Sequence, residues 1–164
     1  VLIEHCWFDD GKRTQGSQNA VIKVEDATTF WIRNCTIQNA DIGISFKGVV
    51  NGEISGCHFE NMIHSSIWLY PNSVYSNRNT LIMNNHIVGR KAGIYFYATL
   101  SHHTRNENTT IIGNYFAALG DNANVCIKKA TDISETDTIL INNSMSNNDW
   151  NLYSSNMTTL KEFQ

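Results

Sequence analysis

One phrase recurs six times along this chain, and no other feature restricts its fold so strongly. It reads VLIEHCWF at 1–8, FWIRNCTI at 30–37, GEISGCHF at 52–59, TLIMNNHI at 80–87, TTIIGNYF at 109–116 and TILINNSM at 138–145. Successive starts lie 29, 22, 28, 29 and 29 residues apart. Self-similarity at such a period marks a solenoid, in which each repeat is one turn of a coil and buries its apolar side against its neighbours.

The columns of the phrase say what each turn contains. The third position is Ile3, Ile32, Ile54, Ile82, Ile111 and Leu140. The sixth is Cys6, Cys35, Cys57, Asn85, Asn114 and Asn143, and the eighth is Phe8, Ile37, Phe59, Ile87, Phe116 and Met145. The fifth holds His5, Asn34, Gly56, Asn84, Gly113 and Asn142, mostly residues that accept a left-handed backbone at low cost. This predicts a strand over positions one to four with position three inward, a sharp corner at five, and a second strand with six and eight inward. A second phrase follows each of the first five: VIKV (21–24), GISFK (43–47), SIWLY (66–70), GIYFY (93–97) and NVCIK (124–128), with a weaker DWNLY at 149–153. Its apolar residues fall two apart, as in a strand with one buried face. Three short strands per turn, stacked turn on turn, predict an all-β, right-handed parallel β-helix of about five to six coils. It covers residues 1–153; residues 154–164 break the pattern and form an extension or the start of another element.

The inward sixth column also bears on the four cysteines. Cys6, Cys35 and Cys57 stack on successive coils and are continued by three asparagines, which gain hydrogen bonds from stacking. A disulfide needs a particular geometry between stacked neighbours, so free, buried thiols are expected. The 164 residues carry 12 basic and 15 acidic side chains, a net charge of −3, which does not suit a nucleic-acid platform. No apolar run of about 18 residues exists to insert in a membrane. The opening VLIEHCWF has neither an initiator Met nor a signal pattern, and an uncapped β-helix end is an aggregation-prone edge. A piece of a longer solenoid is therefore expected.

On a solenoid, function lies outside. The third strand should present Lys23, Ser45, Lys47, Trp68, Tyr70, Tyr95, Tyr97, Cys126 and Lys128 outward. The four rings Trp68, Tyr70, Tyr95 and Tyr97 fall on two neighbouring coils, where they suit a sugar, a subunit contact or cover by a loop. The outward columns of the first strand change character along the chain. Glu4, Trp31, Arg33, Glu53 and Ser55 give way to Leu81, Met83, Thr110, Ile112, Ile139 and Ile141, an apolar stripe of the kind that marks an interface or lies under further chain. Outward on the second strand, His58 and His86 fall one level apart, with no acidic or Cys ligand at matching height, so no metal is expected. Asp9 and Asp10 follow this strand in the first coil and Glu60 in the third. Asp9 and Glu60 share a column two levels apart, about 9–10 Å between backbones, near the upper end for an inverting glycosidase. Such a pair also arises by chance on a solvated face. The connections 71–79, 98–108 and 129–137 are long enough for recognition and hold Arg78, His102, His103, Arg105 and Glu107. The sequons at Asn34, Asn108, Asn142 and Asn156 follow from the abundance of Asn and carry no reading of glycosylation.

The stretch NTTIIGNYFAALGDNANVCIKKA resembles the repeat of the pectin-lyase-like parallel β-helix superfamily, and the resemblance spans about residues 1–153. That superfamily includes pectate lyases, polygalacturonases, alginate-modifying enzymes and bacteriophage tailspike and tail-appendage proteins. Its polygalacturonase motifs NTD, DD, GHG and RIK do not transfer: FDDG (8–11) supplies an Asp pair but no GHG or RIK follows. Acidic calcium clusters of the pectate-lyase kind are not evident. The phage-appendage branch is the nearer analogue, and what it implies is a homotrimer on a virion tail or a cell surface, attached to a host polysaccharide. The resulting expectation is polysaccharide binding by Trp68, Tyr70, Tyr95 and Tyr97, with possible hydrolysis by Asp9 and Glu60. The stripe Leu81, Met83, Ile112, Ile139 and Ile141 would be the subunit interface, and no cofactor is expected. The alternative is a non-catalytic structural or adhesive β-helix, and an eliminase is disfavoured by the missing motifs.

Overall fold

The computed structural model describes residues 1–9, 19–89, 91–97, 104–118, 124–130, 135–145, 150–153 and 161–163. Their strands form three parallel sheets, and each repeat adds one strand to each sheet. The first sheet stacks Leu2–Glu4, Thr28–Arg33, Val50–Ser55, Asn77–Met83, Asn106–Ile112, Ile139–Ile141 and Lys161–Phe163 in order. The second stacks Trp7–Asp9, Thr36–Gln38, His58–Met62, His86–Gly89, Tyr115–Ala118 and Ser144–Met145. The third stacks Ala20–Glu25, Ile42–Lys47, Ser65–Leu69, Ala92–Phe96, Asn124–Lys129 and Trp150–Tyr153. The architecture is a parallel β-helix of about six coils. Among the described residues no helix is long and apolar enough to cross a membrane.

Register places like on like. Ile3, Ile32, Ile54, Ile82, Ile111 and Leu140 pair in one continuous row of the first sheet. Ile32, Ile54, Ile82 and Ile111 are wholly buried, as are Ile37, Phe59, Ile87 and Phe116 from the eighth column and Phe46, Leu69 and Phe96 from the third sheet. Each such side chain adds about 1.5–3 kcal/mol of hydrophobic stabilisation. The glycines of the GIxF phrase belong to this packing. A Cβ on Gly93 would sit 2.6 Å from the Phe116 ring, and one on Gly43 would sit 2.9 Å from that of Phe59.

All six fifth-column residues turn the corner with positive φ, between 49° and 64°. An L-residue with a Cβ usually pays about 1–2 kcal/mol for that conformation, which is why Asn and Gly dominate here. A second left-handed column, not anticipated from the sequence, runs just before the phrase through Thr29, Asn51, Asn79, Asn108 and Asp137. Asn79 Nδ2 donates to Asn51 Oδ1 at 2.9 Å and Asn108 Nδ2 to Asn79 Oδ1 at 2.8 Å, an amide chain on the outside. The expected connections 71–79, 98–108 and 129–137 are accordingly shorter, because strands already begin at Asn77, Asn106 and Glu135.

Inside, the sixth column is an amide ladder. The Oδ1 atoms of Asn85, Asn114 and Asn143 accept the backbone N–H of Cys57, Asn85 and Asn114 at 2.9, 3.0 and 3.0 Å. Their Nδ2 groups donate to the carbonyls of Ile54, Ile82 and Ile111 at 3.0, 3.0 and 2.9 Å. Asn85 Nδ2 also reaches Asn114 Oδ1, and Asn114 Nδ2 reaches Asn143 Oδ1, both at 2.9 Å. Such pairing offsets the cost of taking polar groups out of water. A shorter buried ladder joins Asn77 Nδ2 to Asn106 Oδ1 at 2.7 Å, while Asn77 Oδ1 accepts the Val49 N–H at 2.8 Å.

All four cysteines are free, as expected, but two sit differently from expectation. Cys6, on the first coil, is exposed. Cys126, expected outward, is wholly buried in the core cluster. Met145, expected inward, is 44% exposed.

Candidate functional site

The third sheet gathers the aromatic residues. Register runs Ser45, Trp68, Tyr95, Lys128 along one outward row. Tyr70 and Tyr97 extend the strands beside it, their N–H groups donating to Phe46 O at 2.8 Å and Leu69 O at 2.9 Å. The Trp68 and Tyr70 rings stack with centroids 5.3 Å apart and planes 18° apart. Tyr97 lies 5.0 Å from Tyr70, 5.8 Å from Trp68 and 6.0 Å from Tyr95. The predicted four rings therefore form one cluster.

Exposure divides that cluster. Trp68 is only 7% exposed, whereas Tyr70, Tyr95 and Tyr97 are half-buried. Trp68 thus supports a platform that the three phenols present. Its indole Nε1–H is closed off from solvent without an acceptor among the described groups. His64, at the corner before this strand, completes the patch with its ring 5.7 Å from Trp68 and 5.3 Å from Tyr95. Burial holds the His64 imidazole below its usual pKa, against the pull of Asp41, and burial raises the Tyr95 phenol.

Cations border the rings on both sides along the helix axis. Lys47 Nζ stands 6.0 Å from the Tyr70 centroid and Lys128 Nζ 5.3 Å from that of Tyr95. Lys47 also reaches Glu25 Oε1 at 3.1 Å, and Lys23 reaches the same oxygen at 2.8 Å. These two ammonium groups, Lys23 first, lower the Glu25 pKa.

The carboxylates lie on a different sheet. Asp9, Gln38 and Glu60 pair in one row of the second sheet, which places Gln38 between the two acids. Gln38 Nε2 donates to Asp9 Oδ2 and Asn39 Nδ2 to Asp9 Oδ1, each at 3.0 Å. Glu60 Oε2 stands 3.8 Å from His58 Nε2. Glu60 and Trp68 belong to the same coil, but the corner between His58–Met62 and Ser65–Leu69 turns them onto separate faces. Asp10, His102 and His103 lie outside the described residues.

The apolar stripe forms as two rows, Leu81–Thr110–Ile139 and Met83–Ile112–Ile141, all half-buried. One coil below, the same columns hold Glu53 and Ser55, and Glu53 takes a two-pronged contact from Arg33 at 2.8 and 2.7 Å. That guanidinium holds the Glu53 carboxyl below its usual range. Arg78 and Glu107, expected in recognition loops, pair across coils at 2.9 Å. Among the described residues no group of three or more His, Cys, Asp and Glu could hold a metal. Comparison of the chain with protein-family models, curated proteins and solved structures finds no match.

Proposed function

We propose that the outward face of the third sheet binds a polysaccharide, as a host-attachment appendage of the phage-tailspike kind or an extracellular adhesive β-helix would. The observation that carries this is the platform of Tyr70, Tyr95 and Tyr97, backed by the buried Trp68 ring and bordered by Lys47 and Lys128. Phenol rings offer an apolar face to the C–H side of a sugar and a hydroxyl to its polar edge. Strands about 4.8 Å apart on a rigid scaffold hold these rings in position, so little ordering entropy is lost on binding.

Hydrolysis is the weaker half of the proposal. Asp9 and Glu60 are in one row at a suitable backbone separation, but Gln38 stands between them. A chain seated on the tyrosines must also turn a corner of the coil to reach them. The geometry favours binding over cleavage.

A glycan array on the purified protein, read for affinity and by mass spectrometry for shortened products, tests both halves. Tyr70→Ala and Tyr97→Ala should each lower affinity at least about tenfold, as loss of an aromatic anchor does at other interfaces. Binding that survives both changes would overturn the platform. Shortened products that vanish in Glu60→Gln would restore the hydrolase.

One observation favours a second function, a non-catalytic structural β-helix assembled as a homotrimer of the pectin-lyase-like kind. Leu81, Met83, Ile112, Ile139 and Ile141 leave an apolar strip incompletely covered. Sedimentation of Ile112→Lys tests it: a mass that falls relative to the unmodified chain supports the interface, and an unchanged mass removes it.

A further inference from the structure

A cluster on the second sheet plays no part in the aromatic platform. His58 and His86 face each other in adjacent registers on the outside of the coil. Their Nδ1 atoms are 3.2 Å apart and their ring centroids 4.8 Å apart, with planes inclined at 62°. Both rings reach solvent. We propose that this pair binds a borderline divalent cation of the Zn²⁺, Ni²⁺ or Cu²⁺ class through the two Nδ1 atoms, with solvent in the remaining coordination positions.

Three features converge on it. Imidazole nitrogens bind Zn²⁺ at about 2.0–2.1 Å, so a 3.2 Å separation corresponds to an angle of roughly 100° at the ion, close to tetrahedral. Rotation of the two solvent-reaching rings is what must direct both lone pairs at that point. Second, Glu60 Oε2 lies 3.8 Å from Nε2 of His58, the nitrogen remote from the pair. The negative charge on that side favours the tautomer with the proton on Nε2, which leaves Nδ1 free as a ligand. Third, the cation class follows from the ligands, since imidazole suits Zn²⁺, Ni²⁺ and Cu²⁺ and not the oxygen-seeking Mg²⁺ or Ca²⁺.

The protons balance without an outside reactant. With the His58 proton on Nε2, the 3.2 Å contact of the metal-free pair has His86 Nδ1–H donating to His58 Nδ1. Binding requires His86 to carry its proton on Nε2 instead, a change of tautomer with no net release. Burial, and after it the neighbouring His58, hold the His86 imidazole below its usual pKa.

The test is a ZnCl₂ titration of the whole chain, followed by calorimetry and by histidine-ring NMR. The expected result is one equivalent bound, with ring shifts confined to two of the six histidines, His58 and His86. His86→Gln should lower affinity at least about tenfold, and Glu60→Gln less, at unchanged stoichiometry. His5→Gln, on another part of the surface, should change nothing. Absence of shifts at His58 and His86, or zinc binding retained in a His58→Gln/His86→Gln chain, would overturn the site. The shifts in the unmodified protein decide the matter even if a variant folds poorly.

Discussion

In the lower coils the inward sixth position of the repeat is a thiol, and in the upper coils it is a carboxamide. The Cys35 and Cys57 thiols make weak sulfur hydrogen bonds to carbonyls, 3.2 Å to Arg33 O and 3.4 Å to Ser55 O. Asn85 and Asn114 each satisfy a backbone donor, a backbone acceptor and the next amide. The outside changes at the same level, where the Arg33–Glu53 pair gives way to the row from Leu81 upward. In these columns the lower half is thus apolar within and charged without, and the upper half is hydrogen-bonded within and apolar without. A parallel coil accepts either chemistry in a column. An amide column, however, depends on continuity, because each member serves the level beneath it.

The largest effect should come from interrupting that column. Asn114→Leu removes the donors to Ile82 O and Asn143 and strips the acceptor from Asn85, and should cost about 3–5 kcal/mol in urea unfolding. The corners should not distinguish the halves. Gly113→Ala is expected to cost about 1–3 kcal/mol, since φ is +64° and the new Cβ would meet Asn84 Oδ1 at 2.5 Å. Gly56→Ala in the lower half should cost a similar amount, and a large difference between the two would show that the corners also differ.

The thiol half should be more forgiving, with Cys57→Ala costing about 1–2 kcal/mol. The buried thiols, Cys57 in the lower half and Cys126 in the upper, give both halves a pH dependence of the same definite sign. Burial pushes the thiols of Cys57 and Cys126 up to about 12, so the folded chain keeps protons that the unfolded chain loses. Their contribution is whole below the ordinary thiol pKa and declines as pH rises from about 9 to about 12, by up to about 1.4 kcal/mol per pH unit for each thiol. Below that range, alkylation of the folded protein should label Cys6 and spare the three buried thiols. The smallest effect belongs to the outside of the lower half. Glu53→Gln should cost about 0.5–1 kcal/mol, because its partner Arg33 is partly solvated. The Glu53 pKa is lowered, so this contribution is present above the usual carboxylate range and fades as pH falls through the folded value.

The three strands, the left-handed fifth position and the inward third column could be read directly from the repeat, because in-register stacking writes the same side chain at each level. The left-handed column before the phrase escaped notice because Thr29 and Asp137 stand at its ends instead of Asn. Burial of Cys126 and Trp68 was equally hidden. Alternation along a strand gives a side chain's direction, but not what neighbouring strands or coils place over it. Trp68 points outward and is nearly enclosed, with Tyr70 stacked on its face and Tyr97 at its edge. The common row of Asp9 and Glu60 was visible in the spacing, while the amide donors that occupy Asp9 depend on side-chain conformation.

Hydrogen exchange of the asparagine side-chain amides tests the inner ladder most directly. Asn85 and Asn114 lie inside and Asn79 and Asn108 outside, all within amide chains. The inner Nδ2 protons should exchange only on global unfolding, at the rate of the most protected backbone amides, while the outer ones exchange orders of magnitude faster. Equal rates for the two sets would contradict a buried, continuous amide column.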